Sequence, residues 1–140
     1  MTDLKKVSKF NQKKTRSISS ATLVGGSSAA LDGGAYVADT ATQELFTVPA
    51  NSLITACYIV VEEAGQANLT ADIGYAGSNE LFNDADIDAV SVVKDAGIKL
   101  ATGTGKTITA KFSAAPTQGR FHVIVEYIEY TLSNGDLTGV

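Results

Sequence analysis

The sequence contains no tryptophan, one cysteine, one histidine and only two prolines. Each scarcity removes a class of function. Cys57 cannot form a disulfide within the chain, and His122 cannot build a metal site alone. Cysteine–histidine catalysis would need these two residues to converge in the fold. Cys57 lies in the apolar run Ile54-Thr-Ala-Cys-Tyr-Ile-Val-Val61, which predicts a small buried thiol acting as a hydrophobe. His122 alternates with Phe121 and Val123, which predicts a residue on a strand face. Without tryptophan there is little to stack on a sugar ring, and no spacing among Glu62, Glu63, Glu126 and Glu129 singles out a hydrolytic carboxylate pair.

Long apolar stretches are missing too. The densest run, Leu53 to Val61, ends at Glu62-Glu63 and is well short of the roughly 18 to 20 residues that span a bilayer. Lys5, Lys6 and Lys9 near the N-terminus have no apolar segment behind them, so folding in the cytoplasm where the chain is made is expected, with no membrane partner. The length suits one domain with one core.

Charge is present but unevenly placed. Residues 1–20 carry Lys5, Lys6, Lys9, Lys13, Lys14 and Arg16 against Asp3 alone, a balance of +5. The other residues hold five basic and fourteen acidic side chains, a balance of −9. Residues 1–17 have no sustained period of two and few apolar groups to offset the cost of ordering a backbone. They are expected to form an extended basic arm, with Leu4, Val7 and Phe10 as apolar anchors. Six cations suggest nucleic acid at first sight, but the acidic remainder would repel the same polymer. An acidic protein surface is the better partner for the arm, through Leu4, Lys5, Lys6, Val7, Lys9, Phe10, Lys13, Lys14 and Arg16.

From residue 18 to 140 the pattern changes. Short runs rich in Val, Ile, Tyr and Phe alternate with Gly, Ser, Asn and Asp clusters, as in a sandwich or barrel of antiparallel strands. Strands are predicted near Ser17–Val24, Ala35–Ala38, Glu44–Val48, Leu53–Glu62, Asn68–Gly74, Ala89–Val93, Thr107–Phe112 and Arg120–Leu132, with one helical turn at Glu80–Asp84. In the last strand Phe121, Val123, Val125 and Tyr127 share one face, yet the opposite face also carries Ile124 and Ile128. A strand with two partly apolar faces calls for a second cover, and in so small a protein another copy of the chain is the expected one.

Two motifs imitate ligand sites. Gly103-Thr-Gly105-Lys106-Thr107 ends like a phosphate-binding loop, but Leu100 stands where its first glycine belongs, and Thr107–Phe112 alternates as a strand. A hairpin turn is expected there. Asp84-Ala-Asp86-Ile-Asp88 opens like a calcium loop, but Ala89 and Asp95 replace the required glycine and bidentate glutamate. If a metal binds, Asp84, Asp86 and Asp88 are the candidates, with Glu80 or Asp95 assisting; otherwise no cofactor is expected.

Glu44-Leu-Phe-Thr-Val-Pro-Ala-Asn-Ser-Leu-Ile54, the apolar strand to Val61, Ala71-Asp-Ile-Gly-Tyr-Ala-Gly-Ser78, Asp84-Ala-Asp86 and Val123-Ile-Val-Glu-Tyr127 form an ordered series. Across residues 44–130 it resembles small structural proteins of tailed-bacteriophage virions, especially head decoration (cement) proteins. The resemblance implies an all-β, antiparallel β-sandwich or jelly-roll domain, often a homotrimer, on the capsid exterior. Its implied partners are the major capsid protein and copies of itself. It implies no catalytic residues, and hence a protein that is not an enzyme. A tail, fibre or head–tail joining component, a carbohydrate-binding fibre knob and a hydrolase are the rival readings.

Overall fold

A computed structural model of the chain describes residues 11–12, 16–26, 35–37, 39–75, 79–101 and 103–131. Ten strands account for most of them: β1 (Asn11–Gln12), β2 (Ser17–Gly25), β3 (Ala35–Val37), β4 (Gln43–Val48), β5 (Ser52–Glu63), β6 (Thr70–Gly74), β7 (Phe82–Asp86), β8 (Ser91–Ala101), β9 (Lys106–Phe112) and β10 (Arg120–Thr131). Among the described residues there is no helix.

The strands form two sheets. One has the order β3-β2-β10-β5-β8, with β1 also paired to β10; the other has the order β4-β9-β6-β7. Every pairing is antiparallel except β2 with β3. After β3 the chain passes between sheets at each step except β6 to β7. With β1 and β3 set aside, β2-β10-β5-β8 faces β4-β9-β6-β7, which is the strand order of a jelly roll. The expected all-β antiparallel sandwich is therefore present.

Its core lies between the sheets. Leu23, Ile54, Cys57, Ile59, Val61, Val123 and Val125 meet Val48, Leu69, Ala71, Ile73, Ile108 and Ala110, all of them buried. Phe121 and Phe112 bridge the layers, their ring centroids 5.7 Å apart and tilted by 42°. Gly119 leads into β10 at φ 114°, and a Cβ there would run into the Phe121 ring. Pro49 and Asn51, the latter at φ 56°, turn the chain between β4 and β5, as the break after Val48 predicts.

Four expectations need correction. The helical turn at Glu80–Asp84 does not form; Phe82–Asp86 is β7. Phe82 and Ala85 are both buried although three residues apart, a spacing that imitates a helix. A bulge explains it: two residues, Asn83 and Asp84, oppose Asp72 alone, and Asp84 takes φ 53°. Next, the strand predicted at Ala89–Val93 is Ser91–Ala101, because pairing with β5 carries it on through Lys94, Asp95 and a register irregularity opposite Ile54 to Ala56. Third, Gly103-Thr-Gly105 is not a hairpin, since β8 and β9 belong to different sheets. Fourth, Asn68, at φ 64°, precedes β6 and is not part of it. Ala38 and Leu132, the predicted ends of two strands, lie outside the described residues.

Phe121→Ala is expected to lower unfolding free energy by about 3–5 kcal/mol, whereas exposed Ile18→Ala stays within about 0.5 kcal/mol. Urea titration checks both. Equal effects would contradict this placement of the core.

Candidate docking surface

Of the arm residues expected to bind a partner, Leu4, Lys5, Lys6, Val7, Lys9, Phe10, Lys13 and Lys14 lie outside the described residues. Arg16 is exposed, immediately ahead of β2. Asn11 and Gln12 pair with Thr131 and Tyr130 at the end of β10.

Two of the three candidate calcium residues have other partners. Asp88 Oδ2 accepts the Asn68 N–H at 2.9 Å, and Asp84 Oδ1 accepts the Thr70 hydroxyl at 3.4 Å. Asp72 Oδ1 accepts the Asp84 N–H at 2.7 Å, and Glu80 Oε1 accepts the Tyr75 N–H at 2.8 Å. Asp86 is exposed on β7. These carboxylates shape turns and the β7 bulge. Among the described residues, no three His, Cys, Asp or Glu side chains are grouped to hold a metal. Cys57 and His122 do not converge: Cys57 is buried in the core, while His122 projects from the outer face of the same sheet.

That outer face is the more informative surface. Alternation along β10 buries Phe121, Val123, Val125 and Tyr127 and turns His122, Ile124, Glu126 and Ile128 outward. Strand register then fixes the neighbours of each. His122 lies between Thr22 on β2 and Val60 on β5, and Val60 is opposite Val92 on β8. In the next row Ser20, Ile124, Tyr58 and Lys94 stand side by side; in the third, Ile18, Glu126 and Ala56. The aliphatic members form an oblique stripe, Ile18–Ile124–Val60–Val92, crossing four strands. Ile18 is 62% exposed and Val92 64%, and Val90, just ahead of β8, reaches 71%. A hollow of about 420 Å³ opens at the β8 end of the stripe, between Val60, Glu62, Val90, Val92 and His122.

Polar groups flank the stripe, bonded to one another. On one side Thr22 Oγ1 is 2.9 Å from His122 Nδ1, and His122 Nε2 is 2.6 Å from Glu62 Oε2. Arg120 Nε lies 3.1 Å from the same Glu62 oxygen. The hydrogen bond from His122, aided by the Arg120 charge, holds the Glu62 carboxyl below the ordinary glutamate range. On the other side the Tyr58 hydroxyl donates to Glu126 Oε2 at 3.1 Å, and Lys94 Nζ sits 5.4 Å from the Tyr58 ring centroid.

The second sheet's outer face differs. Thr47 is opposite Thr107, Glu44 opposite Thr109 and Asp72 opposite Lys111, an ordinary solvated face. Sequence periodicity marked the outward face of β10 as partly apolar. It did not single out Ile18, Val90 or Val92, because only register across four strands brings them together.

No family model matches the sequence, and no curated protein matches it. The fold does have solved counterparts. A chain in the capsid asymmetric unit of cyanophage Pam1 is similar with a TM-score of 0.62 and 14% identity, covering 85% of this chain and 86% of that one. A chain in the capsid of Ralstonia phage GP4 gives a TM-score of 0.63 and 17% identity, covering 85% and 87%. One in the acid-stable capsid of Helicobacter pylori bacteriophage KHP30 gives 0.58 and 10%, covering 88% and 98%. The likeness is one of fold.

Glu62→Gln removes a carboxylate whose folded-state pKa is depressed. Its contribution to stability is present above the unfolded-state pKa and is lost as pH falls through the folded-state value. Wild type is therefore expected to melt above Glu62→Gln at neutral pH, with the gap closing as pH falls through and below the ordinary glutamate range. Thermal melts across pH check this; a gap independent of pH would contradict it.

Proposed function

We propose that this chain is a structural, non-catalytic component of a phage virion, most specifically a decoration (cement) protein on the capsid exterior. In this reading it binds the major capsid protein and copies of itself as a homotrimer. The observation that carries the reading is the jelly roll shared with chains from three phage capsids. The alignments cover most of both partners, so each of those chains is about the size of this one and has no large further domain that this chain lacks. The resemblance of residues 44–130 to decoration proteins points the same way.

Physical features support binding as the mode of action. An outer sheet face with an exposed aliphatic stripe suits a protein partner better than bulk water. The basic arm, residues 1–17, carries the charge opposite to that of the β-sandwich domain, residues 18–140. Leu4, Lys5, Lys6, Val7, Lys9, Phe10, Lys13, Lys14 and Arg16 then act as attachment residues on the shell protein or on a neighbouring copy. Repeated weak contacts over a symmetric shell add up to firm attachment through effective concentration.

Copy number separates decoration from the tail, fibre or head–tail reading. Quantitative mass spectrometry of purified virions is expected to find this chain at a fixed, small-integer or simple fractional ratio to the shell protein. A few copies per particle would favour a tail or joining role, and absence from the particle would remove the reading altogether. Charge reversal of Lys5, Lys6 and Lys9 to Glu is expected to reduce occupancy on capsids at least about tenfold without changing the β-sheet circular dichroism. Unchanged occupancy would contradict a role for the arm.

A further inference from the structure

We propose that the aliphatic stripe Ile18–Ile124–Val60–Val92 is the docking site for residues 1–10 of a neighbouring copy of this chain. The inference narrows the arm's role and rests on the preceding reading only in treating the arm as partner-binding.

The direction of the chain is the first argument. β1 runs antiparallel to β10 with Asn11 opposite Thr131, so the chain reaches Asn11 from beyond the end of β10. The stripe lies toward the other end of β10. From Thr131 back to Ile124 is seven residues, about 23 Å at roughly 3.3 Å per strand residue. Phe10 is one residue from Asn11 and Val7 four, so their reach from that point is about 3 and 13 Å. The near end of the stripe, Ile18, is opposite Glu126, five residues or about 17 Å from Thr131, so Phe10 falls short of the stripe of its own molecule and a neighbouring copy's stripe is the proposed seat for the segment.

Chemistry supplies the second argument. Leu4, Val7 and Phe10 are interleaved with Lys5, Lys6 and Lys9, an apolar and basic segment. The stripe is aliphatic; beside it the Glu62 and Glu126 carboxylates are matched by the Arg120 and Lys94 cations, so its fit to this segment is through the apolar side chains. Thr22, His122, Glu62, Tyr58 and Glu126 beside it are already bonded to one another, so an apolar occupant leaves those bonds in place. A second body placed there would instead set one acidic surface, with a balance of −9 outside the first 20 residues, against another. Arms passed from copy to copy around a closed ring would satisfy every stripe but leave none over.

The test uses full-length protein and light scattering over a range of concentrations. Wild type is expected to assemble, and Val92→Asp to weaken assembly at least about tenfold, toward the single-chain mass of 14.5 kDa, because the stripe cannot take up a carboxylate without cost. Val92 is exposed in the single chain, so this variant is expected to keep the wild-type β-sheet circular dichroism. Substituting Leu4, Val7 and Phe10 together by Ser is expected to have the same effect. Mixing Val7→Cys chains with Val92→Cys chains under mild oxidation is expected to give a disulfide between two different chains. A wild-type monomer throughout, or a Val92→Asp protein that stays assembled, would overturn the proposal. Dissociation by Val92→Asp with no effect of the arm substitutions would also overturn it, by showing that body packs on body. Solution mass decides this point, whereas presence in virions decides the reading above, so one can fail without the other.

Discussion

The two-residue period of β10, held at the centre of its sheet between β2 and β5, is the constraint from which the rest follows. Inward, it delivers Phe121, Val123 and Val125 to the core, with Phe121 against Phe112 of the opposing sheet. Outward, the same period presents His122, Ile124 and Glu126, and their cross-strand neighbours set the chemistry of the exposed face. A slip of one residue in this strand would exchange the two sets, placing His122 and Glu126 in the core. The core and the exposed aliphatic stripe are thus both organised by one strand.

The two outer faces divide the remaining work. The face of β4-β9-β6-β7 is threonine and charge, and uses its carboxylates on turns and a bulge. The face of β2-β10-β5-β8 combines an aliphatic stripe with internally bonded polar pairs, a surface that loses little when covered. An acidic body with one coverable face and a basic leader of opposite sign has the elements of a repeating assembly. A shared jelly roll in phage capsid chains gives that assembly its proposed setting, the outside of a phage head.

Much of the fold was legible from the sequence, because half-buried strands advertise themselves. Thr107–Phe112 alternates cleanly, Phe121–Tyr127 does so on its more apolar face, Pro49 and Gly119 punctuate where turns occur, and Cys57 is buried as its apolar run implies. The errors arose where local pattern and pairing disagree. Phe82 and Ala85 carry helical spacing because a bulge absorbs the extra residue, and the apolar run that ends at Val93 gives way to Lys94-Asp95 although β8 continues through them. The stripe was only half legible for a different reason. Ile124 and Ile128 signal it within one strand, but Ile18, Val60 and Val92 are distant in sequence and become neighbours only through register. Asp84, Asp86 and Asp88 drew notice as a cluster, yet two of them are engaged by Thr70 and Asn68 of the adjacent strand and turn.

The central claim is that this jelly roll acts by attaching to a phage shell. Its most direct test is sedimentation of purified full-length protein with capsids prepared without it. The account predicts saturable co-sedimentation at a fixed number of copies per shell, weakening as salt screens the basic arm. No co-sedimentation, at protein concentrations well above those that drive assembly in solution, would contradict it.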